Sequence, residues 1–137
     1  MSFAATLAAF PQGADAFRRA LDAAGIQGRP RFQLELIFEE VVTNAIRYGY
    51  RDRPPGTISV SLHRDGDRVH VVFLDDGAPF DPLTHAPPTP PRSIEEACPG
   101  RLGLVLVRRT AAHASYERTA RGLNKLSLVV IDAGTSD

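Results

Sequence analysis

Two side chains that could do chemistry, Glu40 and Asn44, stand one helical turn apart in the stretch FEEVVTNAIRYGY. A carboxylate can accept a proton from a hydroxyl group or from water. A neutral amide oxygen suits Mg²⁺, which prefers oxygen ligands and often binds through few protein groups and the phosphates of a substrate. The pair therefore offers a base and a metal ligand on one rigid surface.

These side chains lie on a helix that the sequence predicts from about Arg31 to Gly49, the strongest helical signal in the chain. At 100° per residue, Glu40, Asn44 and Arg47 share a polar side opposite a broad apolar side. Helix geometry alone favours a solvated face with a local Glu–Arg contact over a functional site. The apolar side comprises Leu34, Ile37, Phe38, Val41, Val42, Ala45, Ile46 and Tyr48.

A second candidate group is the stretch FLDDGAPFDP, where a strand rich in valine and phenylalanine ends in Asp75, Asp76 and Gly77. A strand-end aspartate can accept a hydrogen bond from an exocyclic amine, and a glycine lets a flat ring approach. Taken alone, the stretch is better explained as a simple turn, in which aspartate and glycine are favoured.

A third candidate group is Gly100 and Gly103, which precede an apolar helix. The first backbone N–H groups of such a helix could bind phosphate oxygens. The stretch is neither a Walker loop nor a dinucleotide fingerprint, because the lysine-serine/threonine pair and the spacing are missing, and short glycine motifs are weak signals.

The remaining sequence predicts the elements that must position these residues: an arm or strand, two helices, a hairpin, a proline-rich loop, a buried helix and a closing hairpin. Hairpins outnumber β-helix-β crossovers, so we expect an α+β fold, a two-layer sandwich of a mixed, mainly antiparallel sheet with helices on one face. The predicted bounds are Ala14–Gly25 for the first helix, Thr57–Arg64 and Arg68–Asp76 for the first hairpin, Arg101–His113 for the buried helix, and Ala114–Ala120 and Lys125–Asp132 for the second hairpin.

The composition is that of a single globular domain spanning residues 1–137, with 43% apolar and 23% charged residues. The 16 basic and 16 acidic residues balance, which argues against nonspecific nucleic-acid binding. The single Cys98 excludes an internal disulfide and a cysteine-based metal cluster. No apolar run approaches transmembrane length, and the N-terminus lacks the basic leader of a signal peptide, so we expect a cytoplasmic protein.

The three groups, taken together in this order, resemble the GHKL ATPase superfamily, which includes histidine-kinase catalytic domains, gyrase, Hsp90 and MutL. EEVVTNAIRYGY is similar to the N box, DDGAPFDP to the first glycine box in the form typical of small anti-sigma-factor serine kinases, and GRLGLVLVRRTA to the second box. YERTARGLNKLSLVV resembles the closing strands of those kinases. Each box is weak alone, but their order and spacing are specific from about Gln33 to Ile131.

The resemblance implies a role in binding Mg-ATP for each candidate residue. Glu40 would be the general base, Asn44 the Mg²⁺ ligand and Asp75 the acceptor for the adenine amino group, with Gly77 beside the ring. Arg47 could approach a phosphate. The segment that meets the phosphates would be Gly100, Arg101, Leu102, Gly103 and Leu104, and the lid over the nucleotide would span about residues 78–99.

Two residues depart from the family pattern. Pro79 replaces the later glycine of the first box, a variant that resembles the small anti-sigma kinases, and it stiffens the loop. Arg101 stands where a second-box glycine often occurs, so it would either crowd the phosphates or supply a cation to the γ-phosphate.

The implied function is that of an ATP-dependent serine/threonine protein kinase of the anti-sigma-factor type. Its substrate would be an anti-anti-sigma protein with a STAS fold, which competes with a sigma factor for the kinase, and the kinase would form a homodimer. Two alternatives stay open: a non-catalytic ATP-binding module that sequesters a sigma factor or other regulator, and a stand-alone histidine-kinase-like catalytic domain, which would need a partner that carries the phosphoacceptor histidine.

Overall fold

The computed structural model describes residues 1–85, 107 and 111–133. Within these residues, no helix combines the length and the hydrophobicity that a membrane-spanning segment needs. The helices are α1 (Phe10–Ala23), α2 (Gly28–Gly49) and the short α3 (Pro82–His85). The strands are β1 (Ser2–Ala4), β2 (Thr57–Asp65), β3 (Arg68–Asp75), β4 (Ala111–Arg118) and β5 (Asn124–Ile131).

The strands form one five-stranded sheet in the order β1-β2-β3-β5-β4, and every pairing among the described residues is antiparallel. The predicted α+β fold with a mainly antiparallel sheet is confirmed. β3 lies between β2 and β5, so Asp75 at its end is paired with Ile58 on one side and with Asn124 on the other. The register thus places a residue of the closing hairpin beside the predicted adenine-binding aspartate.

The core lies between the two long helices and one face of the sheet, since alternate residues of the central strands are buried together with the inward residues of the helices. Phe38 of α2 stacks on Phe17 of α1 at 4.5 Å between ring centroids. Its other ring neighbours, at 6.1, 6.0 and 6.3 Å, are Phe3, Phe10 and Phe73. Aromatic pairs at these separations stabilise a core beyond the area that they bury. They fix the rotation of α2 about its axis and so the directions of its polar residues.

The two long helices begin earlier than the sequence predicts. α1 begins at Phe10 rather than at Ala14, with Pro11 in its first turn, where a missing N–H leaves no helical hydrogen bond unmade. α2 begins at Gly28 rather than near Arg31.

The assignment of Ala111, Ala112 and His113 to the buried helix is wrong, because these residues open β4. Alanine is depleted in strands, so the strand forms here through pairing with β5 rather than through local preference. Val107 is helical and fully buried, as predicted. The other residues from 101 to 110 lie outside the described part of the chain.

The prediction that the polar side of α2 faces solvent is wrong at Asn44, which is only 2% exposed. Glu40 is half-buried, whereas its neighbour Glu39 is exposed. The apolar Phe32, by contrast, is 63% exposed. The packing of α2 therefore turns the face that carries Asn44 into the protein, where a buried polar group calls for an explanation.

Candidate functional site

Glu40 and Asn44 lie on one face of α2, where Glu40 is half-buried and Asn44 is buried. The Oε2 atom of Glu40 is buried and has no hydrogen-bond partner among the described residues. Burial raises the pKa of Glu40, the neighbouring charge of Glu39 raises it further, and Arg47 opposes the shift. A carboxylate with a raised pKa is a stronger base, and perturbed carboxylates are common at functional sites.

Asp75 ends β3 with its two carboxylate oxygens in different surroundings. Oδ1 accepts hydrogen bonds from the backbone N–H of Gly77 at 2.9 Å and from Asn124 Nδ2 at 2.8 Å. None of the residues that the structure describes donates to Oδ2. Burial raises the pKa of Asp75, while the donors Asn124 and Gly77 lower it. One oxygen is therefore fixed by the protein, and the other remains available to an external donor.

The end of α2 touches the Asp75–Gly77 turn through two glycines. The backbone N–H of Ala78 donates to the carbonyl of Gly49 at 2.8 Å. A Cβ atom added to Gly77 would lie 2.9 Å from both Cα and O of Gly49 and 3.0 Å from Asp75 Oδ1. Only a residue without a side chain permits this approach. The contact fixes the helix that carries Glu40 and Asn44 relative to the carboxylate of Asp75.

Asp76 has a different task from its neighbour Asp75. Its Oδ1 accepts hydrogen bonds from the Tyr50 hydroxyl at 2.6 Å and from the Thr57 N–H at 3.0 Å. The hydrogen bond from Tyr50 is the largest influence that lowers the pKa of Asp76. Asp76 therefore ties the loop after α2 to the start of β2 as an ionised acceptor, whereas the carboxylate of Asp75, one oxygen of which has no described donor, lies beside the end of α2.

Asn124 is a site residue that the sequence reasoning missed. It is 6% exposed, and its side chain joins Asp75 to the segment that follows the turn. Nδ2 donates to the carbonyl of Ala78 at 2.8 Å as well as to Asp75. Oδ1 accepts hydrogen bonds from Phe80 N–H at 3.2 Å and from the Tyr116 hydroxyl. One signal in the sequence could have identified it. Asn124 is the single polar residue among the inward-pointing residues of β5, and it lies directly opposite Asp75.

Aromatic and basic residues gather near the C-terminal end of α2. Tyr48 stacks on Phe80 at 5.6 Å between ring centroids with an interplanar angle of 20°. The guanidinium carbon of Arg51 lies 4.8 Å from the centre of the Tyr48 ring, and that of Arg47 lies 5.9 Å from it. Arg47 is exposed. A contact between Arg47 and a phosphate stays a prediction.

The predicted phosphate-binding segment, Gly100, Arg101, Leu102, Gly103 and Leu104, lies outside the described residues. The same holds for Cys98 and for the predicted lid from residue 86 onward. The structure describes only the first part of that lid, residues 78–85, whose start is held by Gly49 and Asn124.

The side chains that the structure brings together fit Mg-ATP in chemical type. Glu40 supplies a buried carboxylate oxygen with no described partner, and Asn44 supplies a buried carboxamide one turn away. A cavity of about 30 Å³ lies beside Asp75 and Asn124.

Comparison with known proteins gives the class of this chain. Residues 3–130 match the family model of the histidine kinase-like ATPase domain. The chain therefore belongs to this family, as the three sequence boxes predict.

Named relatives narrow the class further. The chain is 33% identical over 100 residues to the serine/threonine-protein kinase BtrW of Bordetella bronchiseptica, a match that covers 73% of this chain and 70% of BtrW. It is 32% identical over 78 residues to the serine-protein kinase RsbW of Bacillus velezensis, covering 54% of this chain and 49% of RsbW. The chain thus matches about half of that relative's length. The predicted enzyme class, a serine/threonine protein kinase, agrees with these relatives.

A solved structure has the same fold. The SiaB-SiaC complex from Pseudomonas aeruginosa contains a chain that aligns with a TM-score of 0.57, 18% identity, and coverage of 96% of this chain and 89% of that one.

We expect Gly77→Ala to destabilise the protein by about 1–3 kcal/mol, because the added Cβ collides with backbone atoms of Gly49 and crowds Asp75 Oδ1. The matched control is Gly49→Ala, which faces the same contact, but whose Cβ would lie at an ordinary 3.5 Å from Gly77 Cα. The control should change stability by less than about 0.5 kcal/mol. Urea unfolding followed by circular dichroism measures both, and equal losses would contradict the contact as described.

Proposed function

We propose that this chain is a Mg-ATP-dependent serine/threonine protein kinase of the anti-sigma-factor type. The observation that carries the proposal is the placement of Glu40 and Asn44, a half-buried carboxylate and a buried carboxamide one turn apart on α2. The contact of Gly49 with the Asp75–Gly77 turn holds this face at a fixed position relative to a carboxylate with one available oxygen.

Each of these groups has a role in the proposed reaction. Asp75 would accept a hydrogen bond from the adenine amino group through Oδ2, since Oδ1 is already bonded twice. Asn44 would hold Mg²⁺ through its amide oxygen, and Mg²⁺ supplies stabilisation of the charge on the phosphates when bound. Glu40 would accept the proton of a substrate hydroxyl, and its raised pKa increases its strength as a base.

The proposed substrate is a serine of an anti-anti-sigma protein with a STAS fold, which would compete with a sigma factor for the kinase. The form of the first glycine box and the closing hairpin, together with the relatives named as serine kinases, supports this proposal. A homodimer and a cytoplasmic location, where ATP is available, belong to the same proposal.

The kinase activity is tested by incubating the protein with Mg-[γ-³²P]ATP and candidate STAS-domain partners. Glu40→Gln should lower transfer to a partner serine by about 10²–10⁴-fold, because it removes the proton acceptor. It should leave Mg-ATP affinity nearly unchanged. The matched control is Glu39→Gln, which removes the adjacent exposed carboxylate and should retain transfer.

Two other results would decide against the proposal. Binding of Mg-ATP without transfer to any partner would favour the sequestering module. Transfer by Glu40→Gln at the wild-type rate would exclude Glu40 as the base.

The pH dependence of transfer follows from the neighbours of Glu40. A general base acts in its ionised form, so the rate should rise with pH through the raised pKa of Glu40. Glu39→Gln removes a charge that raises this pKa, so the acid limb should move to lower pH. Arg47→Gln removes a charge that lowers it, so the limb should move to higher pH. Single-turnover rates across a pH series measure the shifts, and equal or reversed shifts would contradict the assignment.

A further inference from the structure

Asn124 uses its whole hydrogen-bonding capacity inside the protein. A carboxamide has two N–H donors and two acceptor positions on its oxygen. The donors meet two acceptors, Asp75 Oδ1 and the carbonyl of Ala78. The oxygen meets two donors, the N–H of Phe80 and the hydroxyl of Tyr116. The Phe80 N–H can only donate and the Ala78 carbonyl can only accept, so the orientation of the amide is determined by its surroundings.

This arrangement controls how Asp75 presents its carboxylate. With Asn124 Nδ2 and Gly77 N–H both on Oδ1, the carboxylate cannot rotate without breaking two hydrogen bonds. Oδ2 then points away from these donors. Donation from Asn124 also opposes the effect of burial on the pKa of Asp75 and favours the ionised form. An ionised Oδ2 can accept a hydrogen bond from a ligand and has no proton to donate to one.

We propose that Asn124 is the positioning residue that makes the site select a purine carrying an exocyclic amino group. This inference rests on the proposed function, because it takes Asp75 as the group that meets the base. Asn124 acts through Asp75: its donors hold Oδ1, and the remaining oxygen accepts from the amine. A bound base that lacks the amine covers this acceptor without pairing it, which is where selectivity arises.

The test compares the affinity of the protein for Mg-ATP and for the Mg complex of purine riboside triphosphate, which is ATP without its 6-amino group. Wild-type protein should bind Mg-ATP about tenfold more tightly or better, as expected for a hydrogen bond to an ionised acceptor. Asn124→Asp keeps the size and the acceptor oxygen but replaces the donors with a second carboxylate. We expect its preference to fall below about threefold, since two adjacent carboxylates share a proton and Oδ1 is no longer held.

Tyr116→Phe is the matched control. It removes a hydrogen bond from the other end of the same amide and leaves the contact between Asn124 and Asp75 in place. Its preference for Mg-ATP should stay within about twofold of the wild-type value, even if its stability falls by the loss of one hydrogen bond. A purely structural role for Asn124 would make both variants less stable without changing the ratio of the two affinities.

The outcomes separate this inference from the proposed function. If wild-type protein binds neither nucleotide, the proposed function fails, and the inference fails with it. If wild-type protein prefers Mg-ATP and Asn124→Asp keeps the whole preference, the inference alone is overturned.

A second variant covers the case in which Asn124→Asp does not fold. The exchange variant Asp75→Asn/Asn124→Asp restores one amide and one carboxylate across the contact. It should show no preference above about threefold, and retention of the wild-type preference would overturn the inference.

Discussion

The site depends on one close contact, between the last turn of α2 and the Asp75–Gly77 turn. The hydrogen bond from Ala78 N–H to Gly49 O and the absence of a side chain at Gly77 bring helix and strand end together. Nearer the middle of α2, the packing of Phe38 on Phe17 sets the rotation of the helix about its axis. These two constraints give Glu40 and Asn44 a defined position relative to Asp75, although the two groups come from different secondary-structure elements.

Two buried carboxamides distinguish this site from an ordinary helix-on-sheet core. Asn44 and Asn124 are 2% and 6% exposed, and burying an amide lowers stability unless hydrogen bonds replace its contacts with water. Asn124 meets that need entirely within the protein, through four contacts around Asp75 and the segment after it. In our proposal, Asn44 is the residue that offers an oxygen ligand to Mg²⁺. The two amides would then have unlike roles: Asn124 would organise the base-binding end, and Asn44 would serve the phosphate end of the proposed nucleotide site.

The sequence predicted much of this fold because the hydrophobic periods of α2, β2 and β3 are strong and local. It predicted the wrong surroundings for Asn44, because a helical wheel shows which residues share a side but not which side the core covers. It missed Asn124, since the contact with Asp75 joins residues 49 positions apart and depends on strand register. The strand-end pattern alone did not separate Asp75 from Asp76, and only the family resemblance assigned the base to Asp75; the structure adds that Tyr50 and Thr57 bind Asp76.

The central claim, that α2 presents a magnesium–nucleotide site, is tested most directly by calorimetric titration of ATP in the presence of Mg²⁺ and in the presence of EDTA. Wild-type protein should gain affinity from Mg²⁺, and Asn44→Ala should lose most of that gain while its affinity in EDTA changes little. Thr43→Ala, one residue away, should behave as wild type. Equal loss of affinity with and without Mg²⁺ in Asn44→Ala would contradict the ligand role, and no binding by the wild-type protein at millimolar Mg-ATP would contradict the site itself.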